Sequence, residues 1–191
     1  MSVNSICWNC ENVTPPNLFF CQKCNKIQPP KQIDEFKLMG ISETFDLDLD
    51  ELEKAYLKLQ QLFHPDKYSQ LSDQEIKYST LLSSMINEAY QKLNSSISRA
   101  TILLKLNGFN PNSEDKSFND PDVLEEIMDI QNEFLEAESS EQKKLSIQKL
   151  NLKISETMKN LSISFKNKEY AIASKLNVKL SYLEKIRIDF K

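Results

Sequence analysis

The stretch His64-Pro65-Asp66 constrains the fold of this chain more than any other, because it cuts one strong helical repeat and precedes another. Leu52, Tyr56, Leu59 and Phe63 recur at i, i+4, i+7 and i+11, an apolar face at helical spacing. Pro65 has no N–H to donate and disfavours helical geometry at the residue before it, so this helix must stop at His64. Tyr78, Leu82, Met85, Ala89 and Leu93 then trace a second helical face. The tripeptide, carrying the single histidine of 191 residues, is therefore predicted at the tip of a helical hairpin. Taken alone, the same three residues also suit a blander account in which Pro breaks a helix, Asp caps a turn and His is incidental.

Composition narrows the class. Two glycines, 27% charged residues and no alternating Val/Ile/Thr runs predict an all-α chain. Gly40 and Gly108 stand alone near expected helix ends, so no phosphate-cradling loop is expected and nucleotide binding by this chain is not predicted. A formal charge of −4 and a pI near 5.2 argue against general attraction to nucleic acid or membrane. No apolar run approaches the roughly 18–20 residues that span a bilayer. One histidine and no second acid/base constellation give little catalytic equipment, so the expectation is a binding protein and not an enzyme.

All four cysteines lie early, as Cys7-x-x-Cys10 and Cys21-x-x-Cys24. Paired C-x-x-C knuckles supply the four thiolates of a tetrahedral Zn²⁺ site, and one structural zinc per chain is the expectation. Asn12 and Asn25 follow the knuckles and tolerate the left-handed backbone such turns need. A segment this short buries too little apolar surface to fold unaided, so coordination would stabilise it, with Trp8, Phe19 and Phe20 packed around the site. Two disulfides, a thioredoxin-like redox pair and an iron–sulfur ligand set are the alternatives. No secretory signal supports the first and no βαβ context the second.

The carboxy-terminal half is read as a polar linker over 110–120 followed by three helices, roughly Pro121 to Glu138, Glu141 to Ser164 and Lys168 to Asp189. Leu150, Ile154, Met158, Leu161 and Phe165 give the middle helix a seam, and Ile172, Leu176, Leu180 and Leu183 give the last one another. Acids dominate from Glu114 to Glu141 and lysines from Lys149 onward, as expected for an acidic helix packed antiparallel to basic ones in a three-helix bundle. Independent solvated faces would produce the same segregation. On the first helix Val123, Ile127, Ile130 and Phe134 form a core-like row, with Leu124 and Met128 beside it. Val178 and Tyr182 likewise lie off the seam of the last helix. Such a wide stripe suits either a deeply buried helix or a partner site.

Several segments together resemble a J-domain, over roughly Asp34 to Gly108, and more specifically the HscB family of J-proteins of iron–sulfur cluster assembly. They are Phe36-Lys37-Leu38-Met39, Phe45-Asp46-Leu47-Asp48, Tyr56-Leu57-Lys58-Leu59-Gln60, His64-Pro65-Asp66, Ile86-Asn87-Glu88-Ala89-Tyr90 and Arg99-Ala100-Thr101-Ile102-Leu103-Leu104. Eukaryotic members carry a similar amino-terminal pair of C-x-x-C motifs, matched here by Cys7, Cys10, Cys21 and Cys24 and by the Pro29-Pro30 that follows. The resemblance implies a zinc ribbon over 1–33, a J-domain over 34–109, a linker over 110–120 and a scaffold-binding bundle over 121–191. It further implies that His64, Pro65 and Asp66, flanked by the basic Lys54, Lys58 and Lys67, contact a DnaK-type heat-shock chaperone and stimulate its ATPase. Leu124, Met128, Asp129 and Tyr182 fall where the family binds the iron–sulfur scaffold protein of IscU type, and Glu125 departs from an apolar family position. Family membership would place the protein in the mitochondrial matrix, although no Arg-rich presequence precedes Cys7 and the cytoplasm is the other candidate. A general J-protein with another client and a zinc-ribbon nucleic-acid factor are the rival functions.

Overall fold

The computed structural model describes residues 5–15, 18–109 and 121–190. The expected linker over 110–120 lies outside them. Among the described residues there are two short strands, β1 (Ser5–Ile6) and β2 (Val13–Thr14), and seven α-helices: α1 (Glu35–Met39), α2 (Leu49–Phe63), α3 (Asp73–Asn94), α4 (Ser96–Leu106), α5 (Pro121–Glu136), α6 (Ser140–Lys166) and α7 (Tyr170–Asp189). A single 3-10 turn over Pro65–Tyr68 follows α2. The all-α reading with an amino-terminal tetracysteine ribbon therefore describes the fold.

Contacts divide the chain into two compact units, residues 1–43 with 47–94 and residues 44–46 with 95–191. In the first, α2 and α3 pack as the predicted hairpin and α1 packs on both. Ile27, Phe36, Leu52, Phe63, Leu82, Ile86 and Leu93 are its largest fully buried side chains, each favouring the folded state by about 1.5–3 kcal/mol over exposure. Asp34 caps α1 through a bond from the Lys37 amide at 2.9 Å, and Gly40, in left-handed geometry at φ 69°, ends it. Polar side chains lock the hairpin register. Tyr56 donates to Asn87 Oδ1 at 3.0 Å, Gln60 Nε2 donates to the same oxygen at 2.7 Å, and Tyr56 stacks on Tyr90 at 4.3 Å. The ribbon belongs to this same unit.

In the second unit α5 and α6 run antiparallel, with Lys153 bound to Glu126 at 2.6 Å and Lys149 to Glu133 at 3.1 Å. Helices α5 and α7 instead run parallel, since Glu126 pairs with Lys179 and Phe134 stacks on Phe190 at 4.7 Å. The antiparallel expectation thus holds for only one of the two basic helices. An up-down-up chain path makes its first and third helices parallel. Helix α4 adds a fourth member by packing against α7, so this division differs from the boundary read at residue 109. Ala100, Leu103 and Leu104 of α4 are buried, and Asn177 of α7 donates to Thr101 Oγ1 at 3.0 Å. Phe45 joins this unit too, stacked on Phe165 at 5.3 Å and accepting at its carbonyl a bond from buried Arg99 Nε at 2.9 Å.

The seam of α7 is turned relative to the sequence reading. Ile172 is 50% exposed, whereas Ala173, Asn177, Leu180, Leu183 and Ile186 are buried. Packing by α4, α5 and α6 around α7 explains the turn, because a helix with three neighbours buries small and polar residues that an amphipathic wheel assigns to solvent.

Candidate functional site

The hairpin tip is built by three local rules. His64 ends α2 with φ −59° and ψ 127°, the extended geometry that a following proline imposes, while its amide still donates to the Gln60 carbonyl at 2.9 Å. Pro65 then opens the 3-10 turn, where its missing N–H costs nothing, and Asp66 N–H donates to His64 Nδ1 at 3.4 Å. Lys67 N–H returns to the His64 carbonyl at 3.0 Å, and the Tyr68 hydroxyl donates to the Leu62 carbonyl at 3.0 Å. Phe63 and Tyr68 are buried on either side of the tip, so His64, Asp66 and Lys67 project outward from an anchored frame. Asp66, with a side chain 90% exposed and Oδ2 lying 3.5 Å from His64 Nδ1, offers an accessible acceptor to an incoming cation. Lys54 and Lys58 are exposed on α2.

The four cysteines converge although ten residues separate Cys10 from Cys21. Each knuckle closes on the same pattern: Glu11 N–H donates to the Cys7 carbonyl at 3.0 Å, and Asn25 N–H to the Cys21 carbonyl at 2.9 Å. Cys7 N–H in turn meets the Asn12 carbonyl, and Cys21 N–H the Lys26 carbonyl, each at 2.9 Å. The left-handed residues are Glu11 (φ 59°) and Asn25 (φ 55°). Asn12 was expected in that geometry and does not have it, because the bend falls on the residue directly after each second cysteine. All four Sγ atoms lie within 4.8 Å of one another, with Cys7 to Cys24 at 3.6 Å and Cys10 to Cys21 at 3.7 Å. A tetrahedron of ~2.3 Å bonds has edges of ~3.8 Å, whereas a disulfide is ~2.05 Å, so the donor set fits a four-thiolate metal centre.

Electrostatics agree with that fit. Burial opposes ionisation of Cys7, yet bonds from the Asn9 and Cys10 amides, Gln28 and Cys24 outweigh it and bring its thiol down to about 6. At Cys10 the Asn12 amide favours the thiolate, but burial and three neighbouring sulfurs prevail and push it up to about 12. A cation relieves such crowding of thiolates. Trp8, Phe19 and Phe20, expected around the sulfurs, meet aromatic rings of the hairpin helices. Trp8 meets Tyr78 of α3 edge-on at 6.1 Å, and Phe19 and Phe20 pack on Phe63 of α2 at 5.1 and 5.4 Å.

In the bundle Leu124, Met128 and Tyr182 are 38%, 60% and 37% exposed, so the core does not absorb them. Asp129 and Glu125 are exposed on the same helix as the first two. The parallel register from Glu126 and Lys179 to Phe134 and Phe190 sets Met128 level with Tyr182. Leu135, 72% exposed, continues the Leu124 and Met128 face at i+11 and i+7, a periodic signal present in the sequence but not among the residues singled out there.

Residues 119–191 match the family model described as the HSCB C-terminal oligomerisation domain. Human iron–sulfur cluster co-chaperone protein HscB is 34% identical over 97% of this chain and 80% of its own length. The chain belongs to the HscB family. The crystal structure of human HscB superposes with a TM-score of 0.91 at 33% identity, covering 97% of this chain and 96% of that one. HscB from Vibrio cholerae gives 0.73 at 25% identity over 83% of this chain and 95% of its own. Curated family members carry the name of co-chaperones, not of enzymes.

Proposed function

We propose that this HscB-family chain is a co-chaperone of iron–sulfur cluster assembly that binds an IscU-type scaffold on its bundle and delivers it to a DnaK-type chaperone while stimulating the ATPase of that chaperone. The observation that carries the reading is the pairing, in a chain 34% identical to human HscB, of an outward His64-Pro65-Asp66 tip with an exposed apolar face on α5 and α7. His64, Pro65 and Asp66 are assigned to the ATPase contact. The proline fixes the loop before binding, so little entropy is lost on docking, and Asp66 accepts a charge-assisted bond from a cationic side chain of the chaperone. Lys54, Lys58 and Lys67 supply a basic surround to an acidic partner surface.

Leu124, Met128, Asp129 and Tyr182, extended by Leu135, are assigned to the scaffold. The residues that would hold one structural Zn²⁺ are Cys7, Cys10, Cys21 and Cys24, and the ion would supply the cross-link that the ribbon lacks. Elemental analysis should return one zinc per chain; iron with labile sulfide would overturn that assignment. The mitochondrial matrix is the proposed location, from the eukaryotic relatives.

The deciding experiment is an ATPase assay with a DnaK-type chaperone from the same compartment. Asp66→Asn should abolish stimulation while shifting stability by less than about 0.5 kcal/mol, since the side chain is solvated. Full stimulation by this variant would remove the tip from the mechanism.

A further inference from the structure

Phe63 is the last residue of α2, adjacent to His64, and its side chain is fully buried. Two rings of the ribbon cover it. Phe20 stacks on it at an interplanar angle of 14° and a centroid distance of 5.4 Å, and Phe19 meets it edge-on at 65° and 5.1 Å. The backbone that carries these rings is closed by the second knuckle: Phe20 bridges antiparallel to Ile27 across Cys21 and Cys24, and Gln28 N–H donates to the Phe19 carbonyl at 2.8 Å. A second grip falls on the other helix of the hairpin. Trp8, inside the first knuckle, donates from Nε1 to the Ile27 carbonyl at 2.7 Å and rests on Tyr78 of α3. Lys26 binds Glu75 in the first turn of α3 at 2.9 Å.

The ribbon thus holds the last residue of α2 and the opening turns of α3, the two ends between which the His64-Pro65-Asp66 tip is strung. Offset-stacked and edge-on aromatic pairs stabilise beyond the area they bury, and here they act on a terminal helical turn, the part of a helix most prone to fray. The rings keep that geometry only while the knuckles are closed, and a segment of this length relies on its cross-link to stay folded.

We infer that Phe19, Phe20 and Phe63 are positioning residues for the His64-Pro65-Asp66 tip, and that the four-cysteine ribbon is a brace whose ligation state sets how rigidly the tip is presented to the ATPase. The inference rests on the function proposed above only for its activity readout. Loss of the bound cation would loosen the last turn of α2 and weaken docking while leaving the residues of the tip intact.

The test uses hydrogen exchange on the full chain, zinc-loaded and after chelation, with Phe20→Ala and Phe20→Tyr alongside. On chelation and in Phe20→Ala, amides of residues 62–69 should lose protection by about tenfold or more, while those of α6 and α7 are unchanged. The chain concentration that half-saturates ATPase stimulation should rise about threefold or more at a nearly constant maximum, because a loosened tip costs ordering entropy on binding. Restored zinc should reverse both effects, and Phe20→Tyr, which keeps the stack, should match the parent chain. Unchanged protection at 62–69 after chelation would overturn the inference. So would loss of protection across all of α1 to α3 in Phe20→Ala, which would make the clamp ordinary core packing. If the zinc-loaded chain fails to stimulate at all, the proposed function falls, and the exchange data still decide whether the brace exists.

Discussion

Glu75 shows how one buried carboxylate joins distant parts of the first unit. Its side chain is 5% exposed and accepts from Lys26 at 2.9 Å and from the Ser72 hydroxyl at 2.8 Å. Burial opposes its ionisation, but Lys26 and Ser72 outweigh burial and hold it below the ordinary value of 4.5. A folded pKa below the unfolded one means the stabilisation is present above the unfolded pKa and is lost as pH falls through the folded one, here below about 4.5. Removing either partner should therefore have unequal costs. Lys26→Met strands a buried charge with only Ser72 as donor, costing about 1.5–3 kcal/mol at pH 7. Glu75→Gln returns a partly exposed lysine to water and should cost about 1 kcal/mol. Denaturant unfolding at pH 7 and pH 3.5 checks this: the penalty for Lys26→Met should shrink at the lower pH, where the stranded carboxylate is protonated. A pH-independent penalty, or equal costs for the two variants, would show that the pair carries no such burden. The interaction spans 49 residues, and nothing in the local sequence announces it.

Among the elements, the helix-period signal is most readable in the hairpin, where α2 and α3 pack chiefly on each other. There Leu52, Phe63, Leu82, Ala89 and Leu93 are buried as their spacing predicts, while Tyr56, Leu59, Tyr78 and Met85 of the same faces are half-buried. Where three neighbours surround α7 the signal holds at Leu180 and Leu183 but fails at Ile172, because Ile172 and Ala173 compete for the same turn and packing chooses alanine. The knuckles were legible through cysteine spacing, and the left-handed position was misplaced by one residue because asparagine at 12 fits the geometry chemically while the hydrogen-bond pattern demands residue 11. Off-seam residues were legible as an excess of apolar surface, and their exposure removes the deep-burial alternative. Truncating Leu124, Met128 and Tyr182 together to alanine should leave the chain folded with a lowered but cooperative thermal transition, since none of the three is a core side chain. Affinity for an IscU-type scaffold should fall by about 3 kcal/mol or more, roughly a hundredfold, as expected when a few apolar anchors dominate an interface. Calorimetric titration measures it. Unaltered affinity in a folded triple variant would place the scaffold elsewhere.

At the scale of the whole molecule, the division into units makes the assignment of α4 testable. Sequence resemblance draws a boundary at residue 109 and so groups α4 with the hairpin, whereas contacts group it with the bundle. Helix α4 is 11 residues long, too short to persist alone in water, and its apolar residues Ile102, Leu103 and Leu104 are buried while it packs against α7. Each of those three side chains forfeits about 1.5–3 kcal/mol if re-exposed, more than the capping bond that the Ser98 amide donates to Ser95, worth about 1 kcal/mol, can offset. A fragment of residues 1–109 should therefore keep the hairpin but lose α4. Hydrogen exchange on that fragment is expected to show amides of residues 99–107 exchanging as in an unstructured peptide, with those of α2 and α3 as slow as in the full chain. Stimulation of the chaperone ATPase should survive, because the His64-Pro65-Asp66 tip and the ribbon that grips it both belong to the first unit. If α4 stays protected in the fragment, its stability comes from the hairpin and the boundary at residue 109 is the physical one.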